Sequence, residues 1–150
     1  MQIIDKEKAA RVWERVQPKP PLDPEQILRL LTAEQEDAAT YAHLAKQLPG
    51  PQSASLRKLY EQEQSHSACL KGIYSLITGT PPVLPQIQVQ QGKPEAILRR
   101  CYGREMQSLA AYEAHSADPE YGQVFARLAA QEREHCHILL TIIGNLQKRK

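Results

Sequence analysis

Two stretches of this 150-residue chain carry the same fault in the same place. From Phe125 to Leu146, steps of three and four residues pick out Phe125, Leu128, Glu132, His135, Leu139, Ile142 and Leu146. That spacing is an apolar helix seam, yet Glu132 and His135 interrupt its middle. Leu56, Leu59, Glu63, His66, Leu70, Ile73 and Ile77 follow the same register, with Glu-x-x-His at the same point. An unpaired charge buried on such a seam is costly unless something compensates it. Two interruptions in identical register therefore read as a site.

Two further helical segments each place a Glu on their seam. The first has the seam Ile27, Leu30, Glu34, Asp37, Tyr41, Leu44, Leu48, and the second has Leu98, Cys101, Glu105, Ser108, Tyr112, His115. In both, a Tyr follows the Glu by seven residues, two turns along one face. The chain is thus an internal repeat: Glu34, Tyr41, Glu63-x-x-His66, then Glu105, Tyr112, Glu132-x-x-His135. The Glu-to-Glu spacing is 29 residues in the first half and 27 in the second, so the halves align almost without gaps.

Helix punctuation fixes an all-α organisation. Asp23-Pro24-Glu25 supplies an N-cap acceptor, a Pro at the first helical position and an acid in the first turn, opening a helix that runs to about Leu48 and stops at Pro49-Gly50-Pro51. A second helix is expected from about Ser53 to Ile77, a third from about Pro94 to Ser116, and a fourth after Asp118-Pro119-Glu120. Residues 1–22 read as an arm with a short helix from about Asp5 to Val16, packed through Val12, Trp13 and Val16; residues 23–150 read as the bundle. The Pro-punctuated connection between Gly79 and Pro94 shows only a weak strand-like alternation at Leu84 to Val89. A 25-residue helix is roughly 38 Å long, and fifteen extended residues reach about 50 Å. The connection can therefore run the length of the bundle and leave the second and third helices parallel. The other links are short enough to make antiparallel hairpins.

Composition narrows the function classes. The net charge of +2 with one Phe and one Trp offers no basic, aromatic-studded face for nucleic acid. No run of eighteen apolar residues is present, so no membrane span is expected. The charged stretch from Met1 to Trp13 lacks the apolar core of a signal peptide. Cys69, Cys101 and Cys136 are odd in number and far apart, which suits a reducing cytoplasm rather than a disulfide framework or a Cys-ligated metal.

Charge counting gives the chemistry. Four Glu and two neutral His converging in one bundle core bring about four negative charges, which repel and stay partly protonated without a counter-charge. Two divalent cations cancel them. Carboxylate oxygen with imidazole nitrogen suits iron or manganese, and zinc less exclusively. Residues three apart share a helix face, so both side chains of each Glu-x-x-His can reach one ion.

The duplicated set Glu34…Tyr41, Glu63-Gln-Ser-His66, Glu105…Tyr112 and Glu132-Arg-Glu-His135 resembles the ferritin-like dimetal-carboxylate proteins, particularly rubrerythrin and bacterioferritin, over about residues 23–147. The resemblance implies a ferritin-like four-helix bundle, two αα-hairpins joined by one long crossover. It implies that Glu34 and His66 hold one metal, Glu105 and His135 the other, and that Glu63 and Glu132 bridge both. Two metal ions per chain follow, iron first, with manganese or zinc as alternatives. The implied activity is ferrous oxidation or peroxide reduction, with H2O2 or O2 as the small-molecule oxidant. Manganese-catalase-like or hydroxylase activity shares such sites; metal storage without turnover and a scaffold with a vestigial site are the alternatives from other classes. A rubredoxin domain is missing, so electrons would come from an external donor, and a homodimer is expected. The extra ligand Glu that rubrerythrins place three residues after the third-helix Glu is Ser108 here, while Asp37 stands at the matching place on the first helix and reads either as a seventh ligand or as a carboxylate beside the site. Tyr41 and Tyr112 are the catalytic candidates, each hydroxyl bonding a ligand carboxylate on a neighbouring helix, or else plain core aromatics. Cys101 reads as a small core residue, His115 as peripheral, and His43 and His137 as surface residues.

Overall fold

The computed structural model describes residues 5–9, 11 and 22–148. Four long helices make up nearly all of it: α1 (Pro24–Gln47), α2 (Gly50–Thr78), α3 (Pro94–His115) and α4 (Gly122–Gln147). Of the arm, residues 6–9 form a helical turn whose first amides are capped by Asp5 Oδ1, which accepts from Glu7 N and Lys8 N. Val12, Trp13 and Val16, the packing residues expected of the arm, lie outside the described residues.

The helix ends follow their local chemistry. Asp23 accepts from Glu25 N at 3.0 Å, satisfying an amide that the first turn cannot. Pro49 ends α1 because the residue before a proline is driven out of the helical region, and Leu48 is accordingly extended. The second helix begins at Gly50, three residues earlier than the sequence suggests. Gly50 takes φ +60°, a conformation that only glycine adopts without strain, and lets the chain reverse at once. Ser53 Oγ then donates to Ala45 O at 2.6 Å across the hairpin. Gly79, left-handed at φ +76°, closes α2. Asp118 starts a turn rather than a helix: its carboxylate accepts from Glu120 N and Tyr121 N, and α4 opens at Gly122.

The helices form two close pairs, α1 with α2 and α3 with α4, which meet more loosely along α1–α3 and α2–α4. The side-chain bonds set the directions. Tyr41 reaches Glu105 while Tyr112 reaches Glu34, so α1 and α3 are antiparallel. His66 reaches Gln131 while His135 reaches Gln62, so α2 and α4 are antiparallel as well. It follows that α2 and α3 are parallel, and the crossover between them runs the length of the bundle, as its reach allowed. No part of it is a strand. Its amides turn to α1 instead: Gln88 N donates to Glu36 Oε2 and Gln90 N to Thr40 Oγ1. Arg100 then anchors its far end through Gln90 Oε1 and Gln91 O.

Two apolar clusters fill the interior. One gathers Ile27, Leu31, Leu70, Tyr112, Phe125 and Leu128; the other gathers Leu44, Leu56, Leu59, Leu98, Leu139 and Ile142. Between them lies a band of buried polar residues at the middle of every helix. Among the described residues, no helix is long and apolar enough to cross a membrane.

Candidate metal centre

The polar band is where the seam interruptions meet. Glu34, Glu63, His66, Glu105, Glu132 and His135 are each at most 1% exposed. They form two overlapping sets of possible ligands: Glu34, Glu63, His66 and Glu132 in one, Glu63, Glu105, Glu132 and His135 in the other, with one donor atom per residue all within 4.8 Å in each set. Glu63 and Glu132 are common to both.

One pair in this cluster bonds directly, His66 Nδ1 with Glu132 Oε1 at 2.9 Å; most of the remaining donor atoms have no partner among the side chains. Glu34 Oε2, both oxygens of Glu63, Glu105 Oε2, Glu132 Oε2 and His135 Nδ1 are buried without a hydrogen-bond partner. Each such group costs about 1–3 kcal/mol or more if nothing completes it. His135 Nδ1 lies only 2.7 Å from Glu63 Oε1, yet the pair lacks the alignment of a hydrogen bond. Two donors to one ion at a metal–ligand distance of about 2.1 Å stand roughly 3 Å apart, so such a contact is natural if both lone pairs face a third point. The donor set fits a pair of divalent cations in number, charge and direction.

Residues outside the cluster hold it in shape. Tyr41 Oη donates to Glu105 Oε1 and Tyr112 Oη to Glu34 Oε1, each at 2.6 Å, so each hairpin braces a carboxylate of the other. Burial, then the neighbouring carboxylates, push both phenols well above their usual range, so both remain O–H donors. On the opposite face His66 Nε2 donates to Gln131 Oε1 at 2.6 Å and His135 Nε2 to Gln62 Oε1 at 2.5 Å. With the proton fixed on Nε2, each imidazole turns Nδ1 toward the cluster. Sequence reasoning missed both glutamines. Their signal was present: a Gln stands immediately before the Glu of each Glu-x-x-His.

The charges in the band are unequal. Burial would raise Glu34, but Glu63, His66 and the Tyr112 hydroxyl together hold it below its ordinary range. Burial, then the Glu34 and Glu105 charges, lift Glu63 well above that range. His66 is raised: burial opposes its charge, but Glu34, Gln131 and Glu105 together outweigh burial. Without metal, the cluster therefore retains protons that cations would expel.

Asp37 is buried beside the cluster but belongs to neither ligand set. It is engaged by Arg104, whose Nε donates to Asp37 Oδ1 at 2.6 Å. Arg104 also reaches Ala33 O and Glu36 Oε1. Of the other residues singled out, His115 packs on Phe125 with ring centroids 5.1 Å apart, His43 is half-buried and His137 is exposed.

No family model, curated protein or solved structure matches this chain. The site is therefore read from its own geometry.

Cys101 lies fully buried one turn from Glu105, and burial followed by the Asp37 charge pushes its thiol up to about 12. Burial likewise takes Cys136 to about 11. Neither forms a thiolate near neutral pH, and the thiolate is the nucleophile. Of the three thiols, only the half-buried Cys69 is expected to react promptly with iodoacetamide at pH 7.5, with all three reacting in denaturant. Rapid labelling of Cys101 in the folded protein, located by peptide mass mapping, would contradict this reading.

Proposed function

We propose that this chain is a ferritin-like dinuclear metal protein of the rubrerythrin and bacterioferritin type, acting in redox chemistry on peroxide or dioxygen. The observation that carries the reading is the pair of four-residue ligand sets sharing Glu63 and Glu132. Glu34 and His66 would hold one ion, Glu105 and His135 the other, with Glu63 and Glu132 between them. A pair of iron ions held there would supply two electrons to one peroxide. The chain's own residues supply the rest. Tyr112 and Tyr41 restrain the two terminal carboxylates, while Gln131 and Gln62 accept from the imidazole Nε2–H groups and so turn Nδ1 inward. The apolar clusters at either end of the polar band keep bulk water from the cluster. The three cysteines are free thiols, and the reading includes a separate electron donor in a reducing compartment.

Peroxide taking two electrons and two protons yields two waters. Protein reconstituted anaerobically with Fe(II) should therefore consume about half an equivalent of H2O2 per iron, and an added reductant should restore the capacity. Consumption no faster than that of free Fe(II) would instead indicate a metal store without turnover.

A further inference from the structure

The internal repeat sets positions of α1 and α3 in correspondence, and beside the site the two halves of the α1–α3 face differ. Glu34 and Glu105 correspond, as do Tyr41 and Tyr112. Beside them, however, Arg104 on α3 corresponds to Ala33 on α1, and Asp37 on α1 to Ser108 on α3. One half of the face is therefore closed by the Arg104–Asp37 ion pair at 2.6 Å. The matching half has two small side chains where that plug would be. Ala33 and Ser108 both line a cavity of about 230 Å³ there, with Arg104, Arg29, Gln26 and Gln107 contributing its polar wall.

The other faces differ in their surroundings. The α1–α2 and α3–α4 faces are the closely packed ones. On the α2–α4 face, the His66–Gln131 and His135–Gln62 bonds lie across the cluster. The cavity on that face, lined by Gln52, Ser55 and Ile142, sits about two to three turns before Gln62 on α2.

We infer that the Ala33–Ser108 notch is the opening through which the small oxidant reaches the centre, on the Glu34 side only. The inference rests on the dinuclear reading and adds the substrate class. At roughly 30 Å³ per water-sized molecule, the cavity has room for hydrogen peroxide together with several waters. Two guanidinium groups and two amides on its wall favour polar peroxide over apolar dioxygen.

The two halves provide each other's controls. The double variant Ala33→Arg/Ser108→Asp copies the plug onto the open half, and Asp37→Ser/Arg104→Ala removes the plug and, with it, the Arg104 side chain from the notch wall. The probe is azide binding to Co(II)-loaded protein, followed by stopped-flow visible absorption, with metal content measured on each sample. The plugged variant should bind azide about tenfold more slowly, and the doubly open variant about twofold faster, as gating of access implies, both at wild-type metal content. Ser108→Leu, which fills the notch without adding charge, should slow binding as well and stands in should the plugged variant not fold. Unchanged rates in Ser108→Leu and in the doubly open variant, at full metal content, would overturn the inference. Wild-type protein that takes up no Co(II) pair would instead overturn the dinuclear reading, and this inference with it.

Discussion

Loading the metal-free protein with two divalent ions per chain should raise its Tm at pH 7.5 by more than about 10 °C. Each ion present at a hundredfold excess over its Kd contributes about 2.7 kcal/mol, and each kcal/mol moves the Tm of a domain this size by about 2–4 °C. The gain should be large because the folded apoprotein confines carboxylates that nothing completes. Five carboxylate oxygens and one imidazole nitrogen in the cluster are buried without hydrogen-bond partners. Replacing Glu63 and Glu132 together by Gln separates the two contributions. The amides remove charge and donate to neighbouring carboxylates, so the apoprotein should be stabilised by about 1–3 kcal/mol. The increment on adding metal should collapse, since both shared ligands are weakened. Calorimetry on chelated and loaded samples of both proteins decides the matter. An apoprotein as stable as the loaded form, with the Gln pair changing nothing, would leave only a scaffold bundle.

The metal-free protein should also lose stability as the pH rises from about 5 to 8. Burial and the neighbouring carboxylates hold Glu63 well above its ordinary value of 4.5, and burial, followed by Glu105, lifts Asp37 above 3.8 even against the pull of Arg104. Over this range the folded chain keeps protons that the unfolded chain has released. Stability then falls with pH, because the folded state binds more protons than the unfolded one. His66 acts with the same sign: its folded value lies above 6.5, so its stabilisation is complete below that value and fades as pH passes through the folded one. Glu34 has the opposite sign. Its lowered value contributes stability above 4.5 that is lost only in stronger acid. The optimum should therefore be mildly acidic. Each pKa unit involved is worth about 1.4 kcal/mol, or about 3–6 °C in Tm. Loaded protein should show a flatter profile, since cations displace those protons. A metal-free Tm that climbs steadily from pH 5 to 8 would contradict the assigned directions.

The residues that were legible in the sequence are those whose signals are periodic. A Glu or His on a leucine seam violates a strong rule, and the violation marks its own position. Glu63, His66, Glu132 and His135 could be found for that reason, and the structure brings them together with Glu34 and Glu105. The crossover was legible through its length alone. Features that depend on pairing across the bundle were not. Gln62 and Gln131 look like ordinary solvent-face residues, because a Gln beside a Glu is common on any helix. Arg104 and Asp37 are 67 residues apart, and nothing local couples them. The start of α2 was misplaced because Pro49-Gly50-Pro51 both ends one helix and begins the next. The weak alternation from Leu84 to Val89 forms no strand: Gln88 N turns to Glu36 on α1, and Pro85 leaves no continuous ladder of donors.

The central claim is that one chain holds two metal ions in one polar band, with Glu63 and Glu132 common to both. Its most direct test is elemental analysis of protein reconstituted anaerobically with Fe(II), after loosely bound metal has been removed by gel filtration. Wild-type protein should retain about two ions per chain, as carboxylate-bridged bundle sites do, and Glu63→Ala should retain fewer than one, because it removes a ligand from both positions. A wild-type value that never exceeds one, or a Glu63→Ala protein that still holds two, would contradict it.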